Sequence, residues 1–448
     1  MTITRLPLAA ALLAIFVAPA APADAPTKLD NELTVLGATR AGNADGTIPA
    51  WTGGITTPPA QYKAGEHYVN PYADDKPILT IDHENVGKYK DHLSPGQVAV
   101  IKKYNDYKML VYPTHRSASF PEYVYEAIKA NMTTAHLQGD GAGVQGASIS
   151  IPFPIPKDGR EAIWNHLLRY RGVALRRFQN QATVTASGNY SIANIEENFL
   201  FVYARKGATP ASIGNIAFYL KQHLLSPARL AGTYSLVHET LNQIAEPRHA
   251  WLYTPGLRRV RRAPNIAYDS PPPSADGLRT FDQFDMFNGA IDRYNWKLVG
   301  KEELYVPYNS YRLQNPDVKY KDLLKPKHIN TDYARYELHR VWKVEATLKP
   351  GASHIYPRRT FYLDEDSWQA LVIDQYDSAG QLWRVSEGHA INYYDVPTLF
   401  TSMETIYDLQ SGRYIAMGLN SEGPAYDFSV QLTPSDFSPS SLRQEGVR

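Results

Sequence analysis

The sequence predicts a mainly β (α+β) fold, in which one large curved antiparallel sheet carries a few covering helices and an irregular N-terminal extension. Three observations support this. Beyond residue 180 the hydrophobic period becomes two, the period of a half-buried strand. In Arg335–Leu348, Tyr336, Leu338, Trp342, Val344, Ala346 and Leu348 fall on one face, interrupted by Arg340, while Arg335, Glu337, His339, Lys343 and Glu345 fall on the other with Val341. Tyrosine dominates the aromatics, with 31 residues against 14 Phe and 7 Trp, and such rings suit pleated, half-buried surfaces. Finally, the strands alternate rather than run continuously apolar, which argues against a parallel α/β sheet buried on both faces.

The elements follow in order. Residues 1–23 read as a cleaved export signal: Arg5 precedes an apolar run from Leu8 to Val17, and Ala21 and Ala23 suit a peptidase cut before Asp24. The run is about ten residues, half of what a bilayer span needs. An N-terminal extension, 24–150, comes next. From Leu33 to Asn85 it is rich in turn signals such as Asp45-Gly46, Gly53-Gly54 and Pro58-Pro59, so it reads as an irregular wrap. Ser94-Pro95-Gly96-Gln97 then spells a capping box with proline at the first helical position. A second helix is expected from Pro121 toward Met132, and a third after Asp158 and Glu161. Residues 151–430 form the sheet domain, with about a dozen strands in an antiparallel meander. Thr280 to Gln283 caps a short helix that carries Phe281 and Phe284 on one side. Residues 431–448 read as a polar tail.

Composition excludes several function classes. Hydrophobic residues make up 43% and charged residues 20%, enough for a real core and too balanced for a disordered chain. Losing Arg5 with the leader brings 46 basic side chains level with 45 acidic ones, so no field steers polyanions and nucleic acid is not expected as a partner. There is no cysteine, hence no disulfide, thiolate site or acylated N-terminus.

Motifs for chemistry are nearly absent, and neither cofactor nor metal is expected. Gly141-Ala-Gly143-Val-Gln-Gly146 matches a dinucleotide string, but a Pro-rich, strand-like segment follows where a helix is required. His238-Glu239 lacks the second histidine of a zinc-protease helix. Asp364-Glu365-Asp366 has donors for a hard cation, yet lies between two apolar strand halves and reads as a hairpin turn with exposed acids. The pairs Glu196-Glu197 and Glu302-Glu303 straddle their strands, so neither makes a local acid/base couple. No G-x-S-x-G elbow occurs. In Arg258-Arg259-Val260-Arg261-Arg262, alternation sends Arg258 and Arg262 to one face, where a pair of guanidinium groups suits an anionic headgroup or an acidic partner.

Leu33–Ile55 (LTVLGATRAGNADGTIPAWTGGI), His249–Pro271, the TFDQFDMFNGA segment and the RRTFYLDEDSWQALVIDQYD strands resemble the bacterial "domain of unknown function 1329" proteins, also called outer membrane lipoprotein-sorting-like. The resemblance spans essentially the whole mature chain. It implies a fold like that of the periplasmic lipoprotein carriers LolA and LolB, a curved antiparallel half-barrel with helices over its concave side and an apolar cavity. It further implies a role in moving hydrophobic molecules beside a resistance-nodulation-division (RND) type inner-membrane exporter and an outer-membrane partner. It transfers no catalytic residues.

The expectation is therefore a non-enzymatic carrier in the periplasm that binds a lipid-like molecule. A docking subunit between exporter and outer membrane ranks second and an envelope hydrolase third. The expected cavity lining is the aromatic face set Trp251, Tyr253, Tyr336, Leu338, Trp342, Phe361, Leu363 and Trp383, with Arg258 and Arg262 near the entrance.

Overall fold

The computed structural model describes residues 28–263 and 268–446, so the expected leader lies outside the described residues. The first strands are β1 (Leu79–Ile81) and β2 (Met109–Val111), followed by a separate hairpin, β3 (His136–Gln138) and β4 (Gly143–Gln145). Next come β5 (Ala174–Phe178), β6 (Asn180–Val184), β7 (Tyr190–Leu200), β8 (Ile216–Ser226), β9 (Thr233–Thr240), β10 (His249–Thr254) and β11 (Arg259–Arg262). The last group is β12 (Tyr294–Pro307), β13 (Tyr336–Leu348), β14 (Arg358–Asp364), β15 (Ala370–Tyr376), β16 (Leu382–Tyr393), β17 (Thr398–Asp408) and β18 (Tyr414–Leu419).

Sixteen of these strands pair in one sheet, ordered β1-β2-β13-β14-β15-β16-β17-β18-β6-β7-β8-β9-β10-β11, with β12 beside β13 and β5 beside β7. The late strand β18 joins the two arms by pairing with β6, Tyr414 opposite Val184. Pairing is antiparallel except for one parallel bridge, Tyr336 to Val111, where the N-terminal extension adds its own short strands to the edge.

Both arms turn the same face to one core. Phe199, Phe218, Leu220 and Val237 of the β7–β9 arm cluster with Phe361, Ile391 and Phe400 of the β14–β17 arm. The sheet thus curves round this cluster as an open half-barrel. Helix α1 (Pro95–Lys103) packs on a second cluster with Val385 and Met403, while α2 (Glu122–Thr134) and α3 (Gly159–Leu168) cover this one. Helix α1 starts as the sequence predicts: Ser94 Oγ accepts from the Gln97 N–H at 3.1 Å, and Gln97 Oε1 accepts from the Ser94 N–H at 3.0 Å. Helix α3 is capped by Asp158, which accepts from the N–H groups of Arg160 and Glu161. Eight of its ten residues are buried, because it lies within the concavity rather than on the surface.

Three readings need correction. The charged face of β13 is not solvated in its first half: Glu337 and His339 are 0% and 1% exposed. Glu337 is held by Arg335 at 2.6 Å and His339 at 3.1 Å, and it accepts from the His115 N–H of the extension. The acids Asp364, Glu365 and Asp366 form a turn, but they are buried. The wrap covers them; Arg116, Lys301 and Arg340 neutralise Glu365 and Asp366 at 2.6–3.4 Å, while Asp364 accepts from the hydroxyls of Tyr308 and Ser367. The 281–290 segment forms only a single 3-10 turn, Phe281–Gln283. Asp285 and Met286 then take positive φ, 51° and 62°, which delivers Asp285 to two buried arginines instead of continuing a helix. The polar tail, too, carries structure. A short helix, Pro439–Gly446, seats Leu442 with Phe437 on the outer face of β9 and β10, beside Leu236 and Tyr253.

Candidate functional site

The alternation in β8 builds the site. Phe218, Leu220, Gln222 and Leu224 point to the concave side, while Tyr219, Lys221 and His223 point outward. Antiparallel register sets Leu220 opposite Val237, Gln222 opposite Ser235 and Leu224 opposite Thr233. With Leu252 of β10 and Ile195 of β7 they wall a cavity of about 280 Å³, roofed by Pro272, Pro273, Phe281 and Phe284.

Buried ion pairs fix the roof in place. Asp282 contacts Arg359 at 2.8 Å and His354 at 3.1 Å, and Asp285 bridges Arg169 and Arg171 at 2.5 Å each. Burial works to raise both acids, but the neighbouring guanidinium groups overcome it and hold both below the ordinary carboxylate range. Phe284 stacks on Phe199 with ring centres 5.9 Å apart, and Phe287 meets Phe361 at 5.3 Å. The roof therefore packs against both arms of the sheet.

Nine of the twenty lining residues are polar. Ser235 donates to Gln222, Gln222 donates to Glu197 at 2.6 Å, and Glu197 holds Arg177 at 2.6 Å. Arg248 pairs with Glu239 at 2.6 Å. Arg279 also lines the cavity, and its Nε donates to Gln181 Oε1 at 3.3 Å. Among the described residues no acidic side chain belongs to the lining.

The ten residues singled out from sequence do not converge on this cavity. Trp251 and Tyr253 lie on the opposite face of β10, against the C-terminal helix; it is Leu252 and Thr254 that face inward. Tyr336 belongs to a separate core and bonds Tyr107 at 2.7 Å and Glu387 at 2.8 Å. Phe361 and Leu363 are solid core, Leu338 is buried, and Trp342 stacks on Trp368 with Lys301 over its ring. Trp383 lies against Tyr356 and donates to Asp408. Arg258 sits in the β10–β11 turn at φ 49°, and Arg262 lies opposite Trp251 on the outer face. Register with Leu252 and Thr254 instead places Arg261 and Arg259 on the cavity side of the edge strand.

Other arrangements are less suited to a ligand. Donor atoms of His339, Asp364 and Asp366 lie within 4.8 Å of one another, but both oxygens of Asp366 accept from Arg116, at 2.8 and 2.6 Å. A cation there would have to displace that guanidinium. A larger cleft of about 850 Å³ runs between residues 66–77 and 309–335. Its Asp75 is already paired with His115 and Arg335. Glycines 141–146 enter the β3–β4 hairpin with no helix following, so the dinucleotide reading stays rejected.

Fold and site together define a cavity-bearing, open β-sheet protein with a strapped roof. The chain belongs to the family described as "Protein of unknown function (DUF1329)", whose model matches residues 80–443. A Pseudomonas aeruginosa relative, "Uncharacterized protein PA3922", is 54% identical over 98% of this chain and 97% of its own. Among solved structures, a DUF1329 family protein from Desulfovibrio piger aligns at 16% identity over 60% of this chain and 92% of that one, with a TM-score of 0.41. The LolA superfamily protein NE2245 from Nitrosomonas europaea aligns at 12% identity over 63% and 98%, with a TM-score of 0.37.

Proposed function

We propose that the protein is a periplasmic carrier that shelters a hydrophobic molecule between the concave face of β7–β10 and the roof of residues 272–288. The observation that carries this is the cavity itself. Eleven of its twenty lining residues are Ile, Leu, Val, Phe or Pro, and among the polar ones Gln222, Ser235 and Arg248 are held by hydrogen bonds and an ion pair. Burying an apolar ligand there yields roughly 25 cal/mol per Å² of area removed from water, and affinity of that origin needs no catalytic group. A carrier also fits the failure of the motif search. Among the described residues no helix is long and apolar enough to cross a membrane.

The test is binding of the neutral apolar dye N-phenylnaphthylamine to wild type and to Val237→Trp. Val237 is 7% exposed and lines the wall, so the indole fills the space a ligand would use. Saturable fluorescence enhancement in the wild type, lost in a variant that keeps its unfolding temperature within a few degrees, supports the carrier. Equal enhancement in both proteins places the dye elsewhere and removes the support.

A further inference from the structure

We propose that the cavity takes a single-chain amphiphile with an anionic head, and that Arg279 receives the head. The inference rests on the carrier reading and narrows it to a ligand class.

Eight arginines are buried among the described residues, and seven of them have a carboxylate oxygen at 3.0 Å or closer. Arg279, 4% exposed, is the exception: its Nε reaches Gln181 Oε1 at 3.3 Å, and no described carboxylate makes an ion pair with it. A guanidinium stays charged in any protein environment, and a buried charge without a partner is strongly unfavourable. The seven other buried arginines observe that rule, so the departure at a cavity wall calls for an anion from outside.

The nearby acids do not fill the role. Glu197 and Glu404 act on Arg279 only at longer range, while burial pulls its affinity for the proton down. Glu197 is committed to Arg177 and Gln222, each at 2.6 Å. Glu404 accepts from the Met286 N–H at 3.1 Å and from Thr401 at 3.0 Å.

The surroundings set the rest of the ligand. Arg229, exposed in the β8–β9 turn, adds a second cation to the same wall, whereas Arg248 is neutralised by Glu239. A planar guanidinium fork matches carboxylate and phosphate oxygens, and apolar side chains continue from it along Leu220, Leu224 and Phe284. At about 280 Å³ the space falls just below the roughly 300–1,000 Å³ usual for ligand pockets. It suits one alkyl chain and not a multiply acylated lipid.

The test is calorimetric titration of the mature protein with dodecanoate, dodecyl phosphate, dodecanol and inorganic phosphate, repeated on Arg279→Met and Arg279→Lys. The wild type is expected to bind the two anionic chains about 10- to 100-fold more tightly than dodecanol. Arg279→Met should erase that preference, leave dodecanol binding intact, and unfold no earlier than wild type, since it replaces an unpaired charge with an apolar chain. Arg279→Lys should retain part of the preference. Equal binding of dodecanoate and dodecanol by the wild type overturns the head-group assignment and leaves the carrier standing. A preference that survives in Arg279→Met overturns the role of Arg279. Inorganic phosphate binding as tightly as dodecyl phosphate overturns the amphiphile in favour of a free-anion site, and failure of all three chains to bind overturns both readings.

Discussion

Asp374 lies in β15 at 0% exposure and holds the start of helix α1: it accepts from Ser94 Oγ at 2.9 Å and from the Gly96 N–H at 3.1 Å. A Cβ on Gly96 would collide with Asp374 and Val385, so helix and sheet meet there without slack. Burial pushes the carboxyl up from 3.8 to about 7, against the opposing pull of those two donors. The folded protein therefore keeps a proton there that the unfolded chain releases near pH 4. As pH rises from about 4 to about 7 the unfolded chain sheds its proton first, so this group's contribution to stability falls through that window. Proton linkage over the interval amounts to at most about 4 kcal/mol.

Asp374→Asn keeps the shape and cannot ionise. Urea unfolding from pH 4 to pH 8 should show it close to wild type at pH 4 and more stable by at least ~1 kcal/mol at pH 7. Glu387, raised to about 7 mainly by burial, titrates across the same range, so the variant's slope should be shallower than wild type without vanishing. Parallel stability curves for the two proteins would refute the claim that Asp374 is protonated in the fold.

Three further outcomes follow from single contacts. Glu197→Gln strands the buried Arg177 and should lower stability by about 3–5 kcal/mol in urea unfolding. Arg116→Met removes the cation that bonds Asp366 and the backbone carbonyls of Arg40 and Pro49; limited proteolysis should then cut the 40–51 segment several-fold faster than in wild type, with the rest of the chain cut no faster. Ser94→Ala breaks the cap of α1 and should cost about 1 kcal/mol, read as a lower denaturant midpoint at unchanged slope.

The fold was more legible than the site, for physical reasons. Capping chemistry is local, so Ser94 to Gln97 and Asp158 could be read directly. Strand alternation is local too, and it identified the large sheet and correctly split Glu196 from Glu197. What alternation does not reveal is which face is inner once both are covered. In β10 the outer residues Trp251 and Tyr253 are larger and more aromatic than the inner Leu252 and Thr254, because the C-terminal segment packs over them. The aromatic signal therefore pointed to the face of the strand away from the cavity. A usable signal lay in IAFYLKQHLL, where Lys221 and His223 mark the outward set and leave Phe218, Leu220 and Leu224 inward. The acids 364–366 looked like turn residues because their cations, Arg116 and Lys301, are far away in sequence. The isolation of Arg279 has no sequence signature at all, since a missing carboxylate is visible only once the chain is folded.

The central claim is that the cavity under the roof holds a hydrophobic molecule. It is tested most directly by native mass spectrometry, with lipid extraction, of protein purified without detergent from its native host, alongside Val237→Trp. The account predicts one bound single-chain amphiphile on the wild type and none on the variant. A wild type that flies as bare protein from a gentle preparation, or a variant that carries the same adduct, would contradict it.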